Sequence, residues 1–149
     1  MNLFDQISND IKVAMLAKDK MRLAALRNAK KMFLEAKTAP GANDTLTDDA
    51  ALKIIQKLIK QGKDSAQIYT EQNRQDLADE ETGQVQALES YLPKQLTVGE
   101  LELELKRIIV QIGASGPQDM GKVMGIATKA LAGKAEGRTI SETVKRLLA

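Results

Sequence analysis

Tyr91-Leu92-Pro93-Lys94-Gln95-Leu96-Thr97-Val98-Gly99-Glu100 ends one helical region of the chain and starts another. Proline disfavours helical backbone at the residue before it, so a helix arriving at Tyr91 stops there and Lys94–Leu96 is a short connector. Thr97-x-x-Glu100 is then a capping box, in which the hydroxyl accepts from the backbone three residues on and the carboxylate returns to the Thr97 N–H. The helix it opens runs through Leu101, Leu105, Ile108, Ile109 and Ile112, and Gly113 closes it as a C-cap. The boundary predicts a domain over residues 1–92 and a second over 93–149.

Working towards the C-terminus, the start signals repeat. Ser115-x-x-Gln118, with Pro117 inside it, opens a helix through Met120, Val123, Met124 and Ala127 to Leu131, and Gly133 ends it. Thr139-x-x-Glu142 reads as another capping box, starting a last helix through Val144, Leu147 and Leu148. Three short helices on tight connections form a small bundle.

Working towards the N-terminus, residues 3–37 read as one long amphipathic helix. Leu3, Ile7, Ile11 and Met15, then Leu23, Leu26 and Phe33, recur at helical spacing with no Pro or Gly between them. A loop follows over Thr38–Leu46, broken by Pro40-Gly41. Thr47 is an N-cap, with Asp48 and Asp49 where the helix dipole favours negative charge. Helical pattern then continues to about Tyr91, and Gly62 or Gly83 is the expected site of a bend or break. No segment alternates as a half-buried strand does. The predicted class is all-α: an N-terminal domain of long helices and a three-helix tail.

Composition narrows the chemistry. The 149 residues include no cysteine and no histidine, which removes disulfides, thiolate and imidazole metal sites, and Cys–His or Ser–His–Asp nucleophiles. No segment approaches the roughly 18 apolar residues of a membrane span, and Met1–Phe4 leads straight into an acidic amphipathic stretch with no signal-type apolar region. The expectation is a cytoplasmic protein that does not enter a membrane.

Net charge is only +2, but it is unevenly spread. Residues 12–37 carry eight basic side chains and two acids; residues 71–90 carry six acids against Arg74. Arg22, Arg27, Lys30 and Lys31 are therefore either a nucleic-acid face or internal partners for those acids. In the tail, Arg107 to Arg146 holds seven basic residues and three acids. That excess fits a phosphate backbone or an ordinary solvated face. The tail has no aromatic residue, so any RNA contact there reads shape and phosphates rather than stacked bases.

Other motifs dissolve on inspection. Gly116-x4-Gly121-Lys122 has the outline of a phosphate-binding loop, but Val123 stands where a hydroxyl would hold magnesium, Pro117 lacks an N–H, and no strand precedes it. Gly116-Pro117 instead begins a helix, and Gly121 and Gly125 are expected to permit close helix packing. A single backbone phosphate at that helix start beside Lys122 stays open. Lys63 and Ser65, two residues apart on a helix, do not face each other. The acidic clusters Asp48/Asp49, Asp79/Glu80/Glu81 and Glu100/Glu102/Glu104 read as structural. No catalytic residue, metal or cofactor is expected.

Several stretches resemble one family in one order along nearly the whole chain. Lys60-Gln61-Gly62-Lys63-Asp64-Ser65, Arg74-Gln75-Asp76-Leu77-Ala78 and Tyr91-Leu92-Pro93-Lys94-Gln95-Leu96 are similar to the N-terminal signature of YqeY-like proteins. Asp119-Met120-Gly121-Lys122-Val123-Met124-Gly125 and Gly133-Lys134-Ala135-Glu136-Gly137 resemble their tail domain. Gly62, where such proteins commonly carry a basic residue, and Glu136, where Asp is usual, depart from the pattern. The tail also resembles the C-terminal domain of GatB, a component of the glutamine-dependent Asp-tRNA/Glu-tRNA amidotransferase.

The resemblance implies a bacterial protein associated with tRNA or with a tRNA-processing protein complex, with no active centre of its own. Its candidate phosphate contacts are Lys122, Lys129, Lys134 and Arg138. A carbon–nitrogen ligase using glutamine as amido-N-donor, or a subunit of one, and a protein–protein adaptor are the alternatives.

Overall fold

The computed structural model describes residues 2–149. Among them it contains seven α-helices, one short 3-10 turn and no strand. The chain divides into two compact units, one ending at Leu92 and the other spanning Pro93–Ala149.

The first unit holds α1 (Leu3–Leu16), α2 (Lys20–Lys37), α3 (Asp48–Glu71) and α4 (Gln75–Glu89). The single helix expected over 3–37 is two helices. The carbonyls of Ala14 and Met15 accept from the N–H groups of Asp19 and Lys18 at 3.0 and 3.2 Å, with Lys18 left-handed at φ 56°. That is a Schellman ending, and Asp19 then caps α2 by accepting from the Arg22 N–H at 3.1 Å. Met15, expected on the buried face, is 51% exposed, lying about 100° round α1 from the buried Ala14. Of the expected face, Ile7 is buried and Leu3 and Ile11 pack partly buried against the core, and Ala14 is buried as well.

The helical stretch after Thr47 also breaks, but at neither glycine. Arg74 N–H donates to Tyr69 O at 2.8 Å and Asn73 N–H to Thr70 O at 3.1 Å, with Asn73 at φ 59°. Gly62 and Gly83 lie inside α3 and α4, where they let helices approach. A Cβ on Gly62 would stand 2.5 Å from Val85 Cγ2, and one on Gly83 would overlap the Met21 sulfur. The apolar core gathers Ile7, Leu26, Phe33, Ile55, Val85 and Leu88. Thr47 caps α3 as expected, accepting from Ala50 N–H at 3.2 Å.

The second unit holds α5 (Val98–Ile112), α6 (Met120–Ala130) and α7 (Gly137–Leu148), with a 3-10 turn at Pro117–Asp119 before α6. Both bonds of the Thr97–Glu100 capping box are present. Gly113 adopts φ 72° at the end of α5, a conformation that penalises any side chain with a Cβ. Two start signals are corrected. Ser115 does not cap: its N–H donates to Asp119 Oδ2 at 2.9 Å, and Gly116 precedes the 3-10 turn. Thr139 and Glu142 lie inside α7, which begins at Gly137. There Thr139 O accepts from Thr143 Oγ1 at 2.8 Å and Glu142 pairs with Arg138. Leu101, Leu105, Val123, Ala127, Ile140 and Val144 form the separate core of this unit.

Candidate nucleic-acid interface

Helix α6 buries Val123, Ala127 and, one turn on, Leu131 against α5 and α7. Its opposite side therefore faces outwards. Gly121, Lys122, Gly125, Ile126, Lys129 and Ala130 line one shallow open groove on that side. No heavy atom lies within 4 Å of where a Cβ on Gly121 or Gly125 would be. The close packing expected at these glycines is absent within the described residues; they leave a strip of bare helix backbone. Lys122 and Lys129 flank it, exposed, with Ile126 between them at 43% exposure.

Charge pairing sorts the rest of the tail. Each of its three arginines meets a glutamate: Arg107 with Glu104 at 2.6 Å, Arg138 with Glu142 at 3.0 Å, and Arg146 with Glu102 at 3.5 Å. Lys106 also reaches Glu102, at 3.5 Å. The Arg146 guanidinium holds the Glu102 carboxyl below its ordinary pKa, first by hydrogen bonding and then by charge, with Lys106 adding to the effect. Among the described residues Lys122, Lys129, Lys134 and Lys145 have no carboxylate partner. The excess positive charge of the tail is therefore carried by lysines. The structure brings Lys122 and Lys129 onto one groove and leaves Lys134 and Arg138 outside its lining.

Lys134 is exposed on the turn between α6 and α7, and that turn is pinned by the connector. Gln95 Nε2 donates to Gly133 O at 2.6 Å and to Pro93 O at 2.9 Å, and Leu96 N–H donates to Lys134 O at 3.0 Å. At the end of the 3-10 turn the Asp119 carboxylate accepts from Ser115 N–H at 2.9 Å and stands next to the start of α6. A negative side chain there works against a bound anion.

A family model described as Yqey-like protein matches residues 4–148. The chain belongs to the YqeY-like family. Among its relatives, the protein named altered inheritance of mitochondria protein 41, mitochondrial, of Pyrenophora tritici-repentis is 28% identical over 145 residues, covering 96% of this chain and 79% of that one. The protein of the same name from Vanderwaltozyma polyspora is 34% identical over 101 residues, covering 67% and 54%. That from Kluyveromyces lactis is 27% identical, covering 93% and 72%. These relatives are fungal and named as mitochondrial, so membership of the family does not by itself place a chain in a bacterial cytoplasm. Among the described residues no helix is long and apolar enough to cross a membrane, and no group of three or more Asp or Glu is placed to hold a metal ion.

In this YqeY-like chain the Tyr91–Leu96 motif has a role at each end. Gln95 fixes the α6–α7 turn, while Tyr91 locks the first unit. The Tyr91 hydroxyl donates to Asp10 Oδ2 at 2.6 Å and accepts from Arg22 Nη2 at 3.3 Å, with the guanidinium 5.9 Å from the ring centre. Burial first, and then the bond to Asp10, push the phenol above its ordinary pKa. Arg22 is thus turned inwards. Lys30 lies 5.9 Å and Lys37 4.2 Å from the centre of the Phe4 ring. Arg27 and Lys31 stay exposed, on a shallow patch with Leu34, Glu35 and Thr38. Among the described residues no ion pair joins these α2 cations to the acids of residues 71–90.

Proposed function

We infer that this YqeY-like protein is a tRNA-associated accessory protein, acting without an active centre of its own through an amidotransferase-type tail. The partner is tRNA alone or tRNA within a processing complex. We place this work in the cytoplasm or, following the names of its relatives, in a mitochondrion. The observation that carries the reading is the outer face of α6. Lys122 and Lys129, both without a carboxylate partner, flank a strip of helix where two glycines leave the backbone open. A sugar–phosphate backbone can approach such a strip closely, and two lysines about two turns apart meet phosphates without reading bases. Lys134 extends the contact along the next turn. Arg138 contributes less, because its guanidinium is shared with Glu142.

The test is the affinity of the whole chain for total tRNA as a function of salt. Each phosphate neutralised contributes roughly −0.9 to the log–log slope on a duplex-like partner. Lys122→Ala/Lys129→Ala is expected to weaken binding and flatten the slope by about 2. Lys134→Ala weakens it further, while Arg27→Ala/Lys31→Ala leaves it unchanged. A flat salt response, or a Lys122→Ala/Lys129→Ala protein that binds as well as the wild type, removes α6 from the site. Binding lost only in Arg27→Ala/Lys31→Ala moves it to α2.

A further inference from the structure

The first unit contains a recess that the RNA reading does not use. Between α2, α3 and α4 lies a cleft of about 210 Å³, below the roughly 300–1,000 Å³ typical of sites for drug-sized ligands. Its polar lining is Asn28, Gln61, Ser65, Glu81 and Gln84, contributed by all three helices. Among the described residues none of these five side chains has a hydrogen-bond or ion-pair partner that would satisfy it from within the protein. No Lys or Arg lines the cleft. Its floor is apolar, from Leu58, Val85 and Leu88. Gly62 lies beside the polar set and has no side chain, which lets α3 come close to α4 at Val85 and Glu81.

The inventory selects a ligand. One carboxylate, three carboxamides and a hydroxyl line the cleft without a cation, so its one formal charge is negative, which disfavours an anion and suits a positively charged donor. An ammonium is compact and strongly hydrated, and an apolar floor offers it little. A guanidinium has five N–H donors, no acceptor, and weakly hydrated faces that lie against aliphatic surface. Its aliphatic stem covers the rest of the floor. We propose that this cleft binds a guanidinium group, that of an arginine side chain or of a small arginine-derived molecule, with Glu81 as the charge partner. The carboxamides of Asn28, Gln61 and Gln84 accept from the remaining N–H groups, and Ser65 sets the depth.

The test is a 1H–15N titration of the whole chain with three probes: agmatine, L-arginine amide and the tripeptide Gly-Arg-Gly. Saturable shifts are expected at the backbone amides around Asn28, Gln61, Glu81 and Gln84. Citrulline, which has the same shape but no charge and one acceptor in place of a donor, is expected to give none, and lysine amide only weak ones. Glu81→Gln weakens binding by about tenfold, as the loss of a charge-assisted bond predicts. Ser65→Arg, which supplies an internal guanidinium, abolishes it while helical circular dichroism is retained. Tighter binding of the tripeptide identifies a partner's arginine as the source, and tighter binding of agmatine a free small molecule; either supports the site. The proposal is overturned if no probe saturates, if citrulline matches arginine amide, or if Glu81→Gln binds like the wild type. None of those results bears on α6, which belongs to the other unit.

Discussion

Three glycines inside helices make a test of the packing, because their surroundings differ while the substitution is the same. Replacing Gly by Ala in a helix interior gains about 1 kcal/mol from backbone entropy and propensity. At Gly125 nothing lies within 4 Å of the new Cβ, so the whole gain is expected. At Gly62 the Cβ would stand 2.5 Å from Val85 Cγ2, about 1 Å inside the ordinary carbon–carbon separation of roughly 3.5–4.0 Å. Val85 is buried and β-branched, so it cannot rotate aside, and α3 must move from α4. Overpacking of this kind costs about 1–3 kcal/mol, which leaves Gly62→Ala less stable by about 1 kcal/mol after the propensity gain. At Gly83 the obstacle is the Met21 side chain, flexible and 41% exposed, which swings away. Gly83→Ala is expected near neutral.

The assay is urea unfolding of the whole chain followed by two signals. Both tyrosines, Tyr69 and Tyr91, precede Pro93 and the tail has no aromatic residue, so tyrosine emission reports the first unit alone. Circular dichroism reports helices of both. With urea m-values of about 1–3 kcal/mol/M, 1 kcal/mol moves a midpoint by about 0.3–1 M. Gly62→Ala should lower the tyrosine midpoint and Gly83→Ala leave it in place. Gly125→Ala should raise only the transition seen by circular dichroism and silent in emission. A Gly62→Ala midpoint at or above the wild type refutes the close approach of α3 and α4. A lowered tail midpoint in Gly125→Ala means that something covers that face of α6.

Two further outcomes concern polar locks. Tyr91→Phe removes the hydroxyl between Asp10 and Arg22 and should cost about 2 kcal/mol in the tyrosine-independent helical signal of the first unit, since the lost bond is to a charged acceptor. Because the folded phenol is raised, its contribution is complete below the ordinary tyrosine range and is lost as pH climbs through the folded value; Tyr91→Phe should abolish that alkaline decline. The Glu100 carboxyl is lowered by the Thr97 backbone N–H first and its hydroxyl second, so its contribution is present above the ordinary glutamate range and is lost as pH falls through the folded value. Glu100→Gln should flatten the acid limb of tail stability, and Thr97→Ala should cost about 1 kcal/mol at neutral pH.

Helix ends show what the sequence carried and what it hid. α1, α3 and α5 all finish with the same pair of Schellman bonds, but the left-handed residue is Lys18, Asn73 and Gly113 respectively. Glycine at that position is legible, because no other residue reaches it without penalty. Lysine is not, and the only local sign of the first break was Asp19, an N-cap type that an uninterrupted apolar period overrode. The capping boxes divide likewise. Thr97-x-x-Glu100 sits just after a proline that stops the preceding helix, which fixes it at a start. Thr139-x-x-Glu142 has the same letters, yet α7 begins at Gly137 and the motif falls in its first turns, where Arg138 takes the carboxylate.

The candidate site was legible as a count of charges but not as a surface. Glu104–Arg107 and Arg138–Glu142 are spaced i,i+3 and i,i+4 on single helices, so their mutual neutralisation follows from sequence. Glu102–Arg146 joins α5 to α7 and needs the fold. Once the three pairs are set aside, the positive excess belongs to lysines, and two of them share the face of α6 that the core leaves outside. The glycines there mislead for a related reason. In a helix Gly signals either close packing or bare backbone, and only the neighbour decides between them. At Gly62 the neighbour is a buried valine of the same unit, so the residue serves the fold. At Gly125 no described atom lies within 4 Å of a Cβ, so the backbone there is bare between two exposed lysines, which is the feature the proposed RNA contact uses.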